Sequence, residues 1–269
     1  MLLKHIIVYK KQGETPLECL ERTRFENNIE EKISLTYAGR LDPMAEGVMI
    51  ILVGDECKNK EQYLGLDKTY EFQILVGFAT DTYDLLGIVE SSSKKLRMVW
   101  PSFPKNLARK SEDLSNYLFD DETLNITLQS FIRTFIQKYP SFSSKTVGGK
   151  QLFQLSKDNN LPGELPEHEV TIKKLEHLKT EIIKSNDLQK EILKRISLVH
   201  GDFRQKEIIE KWNEVFSKSN QKEYQVLSCV AECSSGTYIR QLVADISEKT
   251  NVPMVTYSIK RTRIGAFTE

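Results

Sequence analysis

At 269 residues with 39% apolar side chains, the chain can bury a sizeable core, as one large domain or two modest ones. Its 38 basic and 38 acidic side chains cancel, so net charge supplies no global attraction to a polyanion. The longest apolar run, Val48 to Val53, is too short for a membrane-spanning helix, and Met1 to His5 lack a secretory core and cleavage site, so the expected compartment is the cytoplasm.

His5 to Tyr9 reads as a short strand. A helix starts at Thr15, with Thr15 as N-cap, Pro16 at the first helical position and Glu18 as the capping-box partner. Gly47 and Gly54 bracket Val48 to Val53, a strand buried on both faces, and Tyr70, Phe72, Ile74 and Val76 alternate as in a half-exposed strand. Leu128, Phe131, Ile132, Phe135, Ile136 and Tyr139 follow helical spacing, which predicts a core-facing helix ended by Pro140. Val170 to Ile183 and Tyr224 to Cys233 read as strands, and Ile239, Leu242, Val243 and Ile246 mark one face of a final helix. This succession predicts an α+β domain.

Two stretches read as insertions. Residues 91–121 are polar, with Pro101 and Pro104, as in a surface excursion. In residues 185–221, Leu188, Ile192 and Ile196, then Ile208, Ile209, Trp212, Val215 and Phe216, form two amphipathic patterns around His200-Gly201-Asp202, which predicts a helical hairpin.

Cys19, Cys57, Cys229 and Cys233 include no Cys-x-x-Cys pair and read as reduced thiols. No histidine stands near Cys229 and Cys233, so a four-ligand metal site is not expected. The four histidines suggest no Ser-His-Asp arrangement. The basic tail Lys260-Arg261-Thr262-Arg263 and the acidic stretch Glu112 to Glu122 hint at segregated charge, a way for a neutral protein to bind RNA; solvated faces of both signs are the alternative.

Ala38 to Gly47 holds two glycines, a proline and three charges just before a strand, the makings of a shaped loop. A carboxylate held there beside an arginine stays ionised and suits nucleophilic work; read in isolation, the same loop is also a turn or cap.

Gly39-Arg40-Leu41-Asp42-Pro43-Met44-Ala45-Glu46-Gly47-Val48 resembles the signature of the TruB family of tRNA pseudouridine synthases. Further blocks resemble family motifs in the same order: Lys10 to Thr15, Asp67 to Tyr70, Leu75 to Thr82, Pro140 to Ser143 with Gly149-Lys150, Cys233 to Arg240, and Arg261 to Phe267. The resemblance spans Val8 to Phe267 apart from the two insertions. It implies the pseudouridine synthase fold, a mixed, largely antiparallel sheet with flanking helices and a central catalytic cleft. It also implies a single catalytic domain over residues 1–269 and, as substrate, the uridine at position 55 in the T-loop of tRNA.

By resemblance Asp42 is the essential nucleophile, with attack on the sugar and attack on the base both open. Arg240 pairs with it, and Tyr70 is the active-site tyrosine. Isomerising a uridine needs no redox agent, so no cofactor or metal is expected. The stacked base must be flipped out, at a cost of a few kcal/mol that an aromatic platform such as Tyr70 offsets by roughly 1–3 kcal/mol. Arg40, Lys68, Lys260, Arg261 and Arg263 are candidate phosphate contacts; ordinary surface charge is the alternative.

Two departures from the family stand out. Tyr37 replaces the histidine usual five residues before the aspartate, and is expected to stack or wedge against T-loop bases unless it is a packing residue. The chain ends at Glu269, where many relatives continue into a C-terminal RNA-binding domain, so no such PUA-type domain is expected and the hairpin is a candidate substitute. The expected partner is the T-arm of tRNA, bound by a monomer. Another RNA substrate, or an inactive RNA-binding or RNA-folding module, are the rival readings.

Overall fold

The computed structural model describes residues 4–90 and 119–269. Their framework is a nine-stranded sheet. β1 (His5–Lys10), β3 (Ala45–Val53), β12 (Met254–Ile264), β4 (Lys68–Val76), β11 (Glu223–Cys233), β10 (Glu167–Lys184) and β7 (Thr134–Lys138) lie side by side in that order. β2 (Leu35–Ala38) pairs with β3, and β13 (Phe267–Thr268) with β12. The β3–β12 ladder is parallel and the others are antiparallel.

Alternation along the strands divides the core. Phe72, Ile74 and Val76 of β4 join Leu227 and Cys229 of β11 on one face, covered by α7 (Ile239–Thr250) and α3 (Asp121–Gln129). Leu75, Val226 and Val255 point to the other face, which carries the predicted hairpin, α5 (Ser185–Ser197) and α6 (Gln205–Lys218). The hairpin rises from the β10–β11 connection, and its neck is held by Lys184 opposite Glu223 and by the Ser185 amide donating to the Lys222 carbonyl, 2.8 Å. Its anchor is Trp212, fully buried, with Nε1 donating to the Leu85 carbonyl at 3.2 Å and the ring centroid 5.1 Å from that of Phe78.

At the N-terminus, α1 (Pro16–Glu26) starts with the expected capping box: the Glu18 amide donates to Thr15 Oγ1 and the Thr15 amide to Glu18 Oε2. The helix expected over Leu128 to Tyr139 does not form as one element. α3 ends at Gln129, Ser130 to Arg133 turn, and Thr134 to Lys138 become β7, paired with the start of β10. The reason is positional: in β7 Gln137 is buried and Ile136 is 56% exposed, the reverse of the helical stripe, because Gln137 Oε1 is needed to accept from the Tyr238 amide at 2.9 Å. Of the excursion expected over residues 91–121, all but Phe119 to Asp121 lies outside the described residues. Phe119 is buried, its backbone bonded both ways to the Gln225 side chain.

Candidate active site

The loop from Gly39 to Met44 enters β3 beside the middle of the sheet, and buried cations secure its carbonyls. Lys10 Nζ donates to the carbonyls of Ala45 (2.6 Å), Lys11 (3.1 Å) and Pro43 (3.4 Å). Arg261 donates from Nε to Val48 (2.8 Å), from Nη1 to Arg40 (3.2 Å) and from Nη2 to Gly39 (3.4 Å). Burying such charges is costly unless each is hydrogen-bonded, and here each supplies donors that loop carbonyls would otherwise lack. Burial pulls the Lys10 ammonium down to about 8, against the opposing pull of Asp42.

Gly47 sets how closely β3 approaches β12. Its φ is +111°, and a Cβ there would lie 2.2 Å from the Arg261 carbonyl oxygen. Gly47→Ala is therefore expected to destabilise the fold by on the order of 3–4 kcal/mol, from the strained backbone and the forced separation of two buried strands. Urea unfolding measures it, and a loss below about 1 kcal/mol would contradict this account.

The loop presents Asp42 with one side anchored and one side open. Arg240, 3% exposed, donates from Nε to Asp42 Oδ2 at 2.7 Å, while the Asp42 side chain remains 37% exposed. Arg240 stands in the first turn of α7 and is fixed by the carbonyls of Thr82 (Nη1, 2.6 Å) and Phe142 (Nη2, 3.3 Å). Burial by itself would lower its pKa, but Asp42 and Asp84 outweigh this and raise it, so the cation is permanent. Tyr70 projects from β4 into the same region and packs with Leu41 and Ala45; burial first, and the charge of Asp42 further down, raise its phenol. A half-exposed carboxylate, a fixed cation and a buried aromatic thus converge from residues 42, 240 and 70.

Asp84 is a site residue that the sequence reading passed over. Its Oδ2 lies 3.5 Å from Arg240 Nε, and its Oδ1 accepts from Thr82 Oγ1 (2.7 Å) and the Leu86 amide (3.0 Å). The only sequence signal was a second aspartate shortly after Thr80-Asp81-Thr82. Burial pushes the Asp84 carboxyl up from 3.8 to about 6 despite the opposing pull of Arg240. Between those values the folded protein keeps a proton that the unfolded chain has released, so rising pH favours unfolding through this window. Wild type is expected to lose stability relative to Asp84→Asn from pH 3.8 to about 6 and to show no further divergence above it. Urea unfolding at each pH reads this out, and a pH-independent difference would refute it.

The expected phosphate contacts divide. Arg40 is exposed, with its guanidinium carbon 5.9 Å from the Tyr37 ring centroid, and Lys260 Nζ lies 5.7 Å from that of Tyr9. Arg263 pairs with Glu232 at 3.0 Å and donates to Thr69 Oγ1. Lys68 and Arg261 instead turn inward. Lys68 is buried with Nζ on the carbonyls of Leu64 (2.6 Å) and Leu66 (2.5 Å), and Arg261 is 1% exposed on the loop carbonyls. Alternation along β4 and β12 puts them on inner faces where unpaired carbonyls need donors, so they brace the site from behind.

Tyr37 lies in β2 opposite Ile51, half-buried against Val8, Leu35, Cys19, Leu20 and Met49, with Lys60 Nζ 5.4 Å from its ring centroid. Packing therefore accounts for part of its ring. Tyr37→Phe is expected to keep stability and activity, and Tyr37→Ala to cost about 2 kcal/mol of stability from lost burial, with a further drop in single-turnover rate on RNA if the free edge also stacks on bases. Melting curves and rates on both variants separate the contributions; an unaltered melting temperature for Tyr37→Ala would contradict the packing account.

A mixed α+β sheet thus carries an aspartate loop beside a buried arginine and a tyrosine. A family model described as TruB family pseudouridylate synthase, N-terminal domain, matches residues 27–109. The tRNA pseudouridine synthase B of Limosilactobacillus reuteri is 28% identical over 263 residues, covering 98% of this chain and 67% of the relative. That of Ligilactobacillus salivarius is 27% identical (97% and 67%), and that of Clostridium perfringens strain 13 is 26% identical (98% and 67%). A chain from a crystal structure of a Cbf5-Nop10-Gar1 complex superposes with a TM-score of 0.54 at 16% identity, over 98% of this chain and 50% of that one, a likeness of fold. Over residues 27–109, and along these relatives, the chain is similar to the TruB family of pseudouridine synthases. It spans about two thirds of the length of these curated relatives and about half of the solved chain.

Proposed function

We propose that the protein is a tRNA pseudouridine synthase that isomerises the T-loop uridine at position 55. The observation that carries this reading is the half-exposed Asp42 carboxylate held 2.7 Å from a buried Arg240, on a loop braced by Lys10 and Arg261. The naming of the curated relatives, tRNA pseudouridine synthase B, supports the substrate class.

Net, the reaction breaks the N1–C1′ bond, forms a C5–C1′ bond and exchanges the C5 proton for one on N1, so no atom or electron is gained or lost. An anchored carboxylate is the nucleophile this calls for, and Arg240 keeps its free oxygen directed at the substrate. Tyr70 offers its ring beside the flipped base. Arg40, Lys260 and Arg263 are the remaining proposed backbone contacts, and the proposed complex is one copy of the chain on the T-arm in the cytoplasm.

The test is incubation of the purified chain with unmodified tRNA transcripts, followed by site-resolved pseudouridine mapping, with Asp42→Asn as control. Modification confined to the T-loop uridine is the expected result. Modification of other RNAs alone would reassign the substrate, and binding without turnover would make the chain an RNA-binding module.

A further inference from the structure

The turn of the α5–α6 hairpin leaves its own apolar core and reaches the segments that hold Arg240. It abuts Gly13, whose φ is +92° and where a Cβ would lie 2.4 Å from the Leu198 carbonyl oxygen. On the far side Lys157 Nζ donates to the Asp202 carbonyl at 3.1 Å. At the end of the turn Arg204, with φ +64°, directs its guanidinium into the site's surroundings. Its Nη1 lies 2.8 Å from Asp81 Oδ2, and its guanidinium carbon is 4.4 Å from the centroid of the Phe142 ring.

Those two partners are adjacent to, or identical with, the residues that hold Arg240. Asp81 precedes Thr82, whose carbonyl accepts from Arg240 Nη1, and Phe142 itself provides the carbonyl that accepts from Nη2. The two carbonyls come from chain segments 60 residues apart, and Arg204 bridges both, with an ion pair on one side and a stacked ring on the other. Both charged side chains are about three-quarters buried, and a planar guanidinium can pair and stack at once.

We propose that Arg204 is a positioning residue for the reaction: it sets the spacing of the Thr82 and Phe142 carbonyls, and through them the direction in which Arg240 presents Nε–H to Asp42. The hairpin is then part of the catalytic architecture, a prop for the Asp42–Arg240 pair built from an excursion between two strands. This inference rests on the synthase reading above.

The test compares Arg204→Met, Arg204→Lys, Asp81→Asn and Arg204→Met/Asp81→Asn with wild type, with Lys206→Met as a control that removes an exposed charge from the adjoining first turn of α6. Single-turnover rate at saturating tRNA transcript is expected to fall by about tenfold or more in Arg204→Met and Asp81→Asn. The tRNA Kd is expected to stay within about threefold, Arg204→Lys to recover part of the rate, and the double variant to be no slower than the worse single one. Lys206→Met keeps the wild-type rate. Hydrogen exchange of the Arg240 Nε–H, followed by NMR in arginine-labelled protein without RNA, is expected to accelerate at least tenfold in Arg204→Met and to stay slow in Arg204→Lys.

An unchanged rate and unchanged Arg240 exchange in Arg204→Met would overturn the proposal. So would a loss confined to tRNA affinity, which would make Arg204 a phosphate contact. If wild type modified no RNA, the synthase reading would fall, while the exchange measurement would still decide whether Arg204 holds Arg240 in place. If Arg204→Met did not fold, Asp81→Asn, which keeps the carbonyl oxygen that accepts from the Ile88 amide at 2.8 Å, would carry the same comparison.

Discussion

Asp42→Asn is expected to lower pseudouridine formation to below about a thousandth of the wild-type rate while leaving the fold and tRNA affinity nearly unchanged. The amide retains an oxygen that accepts from Arg240 Nε, and the loop is fixed through its carbonyls by Lys10 and Arg261, none of which involves the Asp42 carboxylate. What disappears is the carboxylate proposed as nucleophile, for which an amide is no substitute. RNA affinity depends on contacts spread over the surface, so the Kd should move by no more than a few fold. Single-turnover kinetics, a binding titration and a melting curve on one preparation provide the three readouts. Residual turnover above about a thousandth, with contaminating synthase excluded, would remove Asp42 from its role.

Arg240→Ala is expected to damage catalysis and stability together, with binding least affected. Arg240 is the sole cation within 4 Å of Asp84 among the described ion pairs, and it also satisfies the Thr82 and Phe142 carbonyls. Removing one partner of a buried charge pair costs about 3–5 kcal/mol, because the remaining charge is stranded. A preorganised donor at a reacting carboxylate contributes about a hundredfold to a thousandfold in rate, so single-turnover chemistry should fall by that much in the folded fraction. Arg240→Lys should recover part of the stability but little of the rate, since an ammonium lacks the planar fork that reaches Asp42 and two carbonyls at once. A collapse of tRNA affinity with single-turnover chemistry preserved would instead identify Arg240 as a phosphate contact.

The local elements could be read directly from the chain because local rules govern them. Thr15, Pro16 and Glu18 start α1 through bonds made within one turn, and the stripes of residues 188–196 and 208–216 form helices because each has one apolar face to bury. The helix predicted over residues 128–139 fails beyond Gln129 because a short apolar run can satisfy helical spacing and still become strand; the free edge of β10 and the need of the Tyr238 amide for an acceptor decide the outcome. The shape of the Gly39 to Gly47 loop, and its likeness to a family signature, were likewise visible in the chain.

What only the tertiary structure decided is which charges face RNA and which brace the loop. Arg261 and Arg263 are two residues apart on one strand, yet Arg261 is sealed against loop carbonyls and Arg263 pairs with Glu232 nearer the surface, because a register shift lies between them. Asp84, Lys10 and Arg204 acquire their places in the same way, each meeting carbonyls or charges far away in the chain. A buried ion is tolerated only where unpaired polar groups converge on it, and that convergence is a property of the folded packing, with no periodicity or spacing along the chain to announce it.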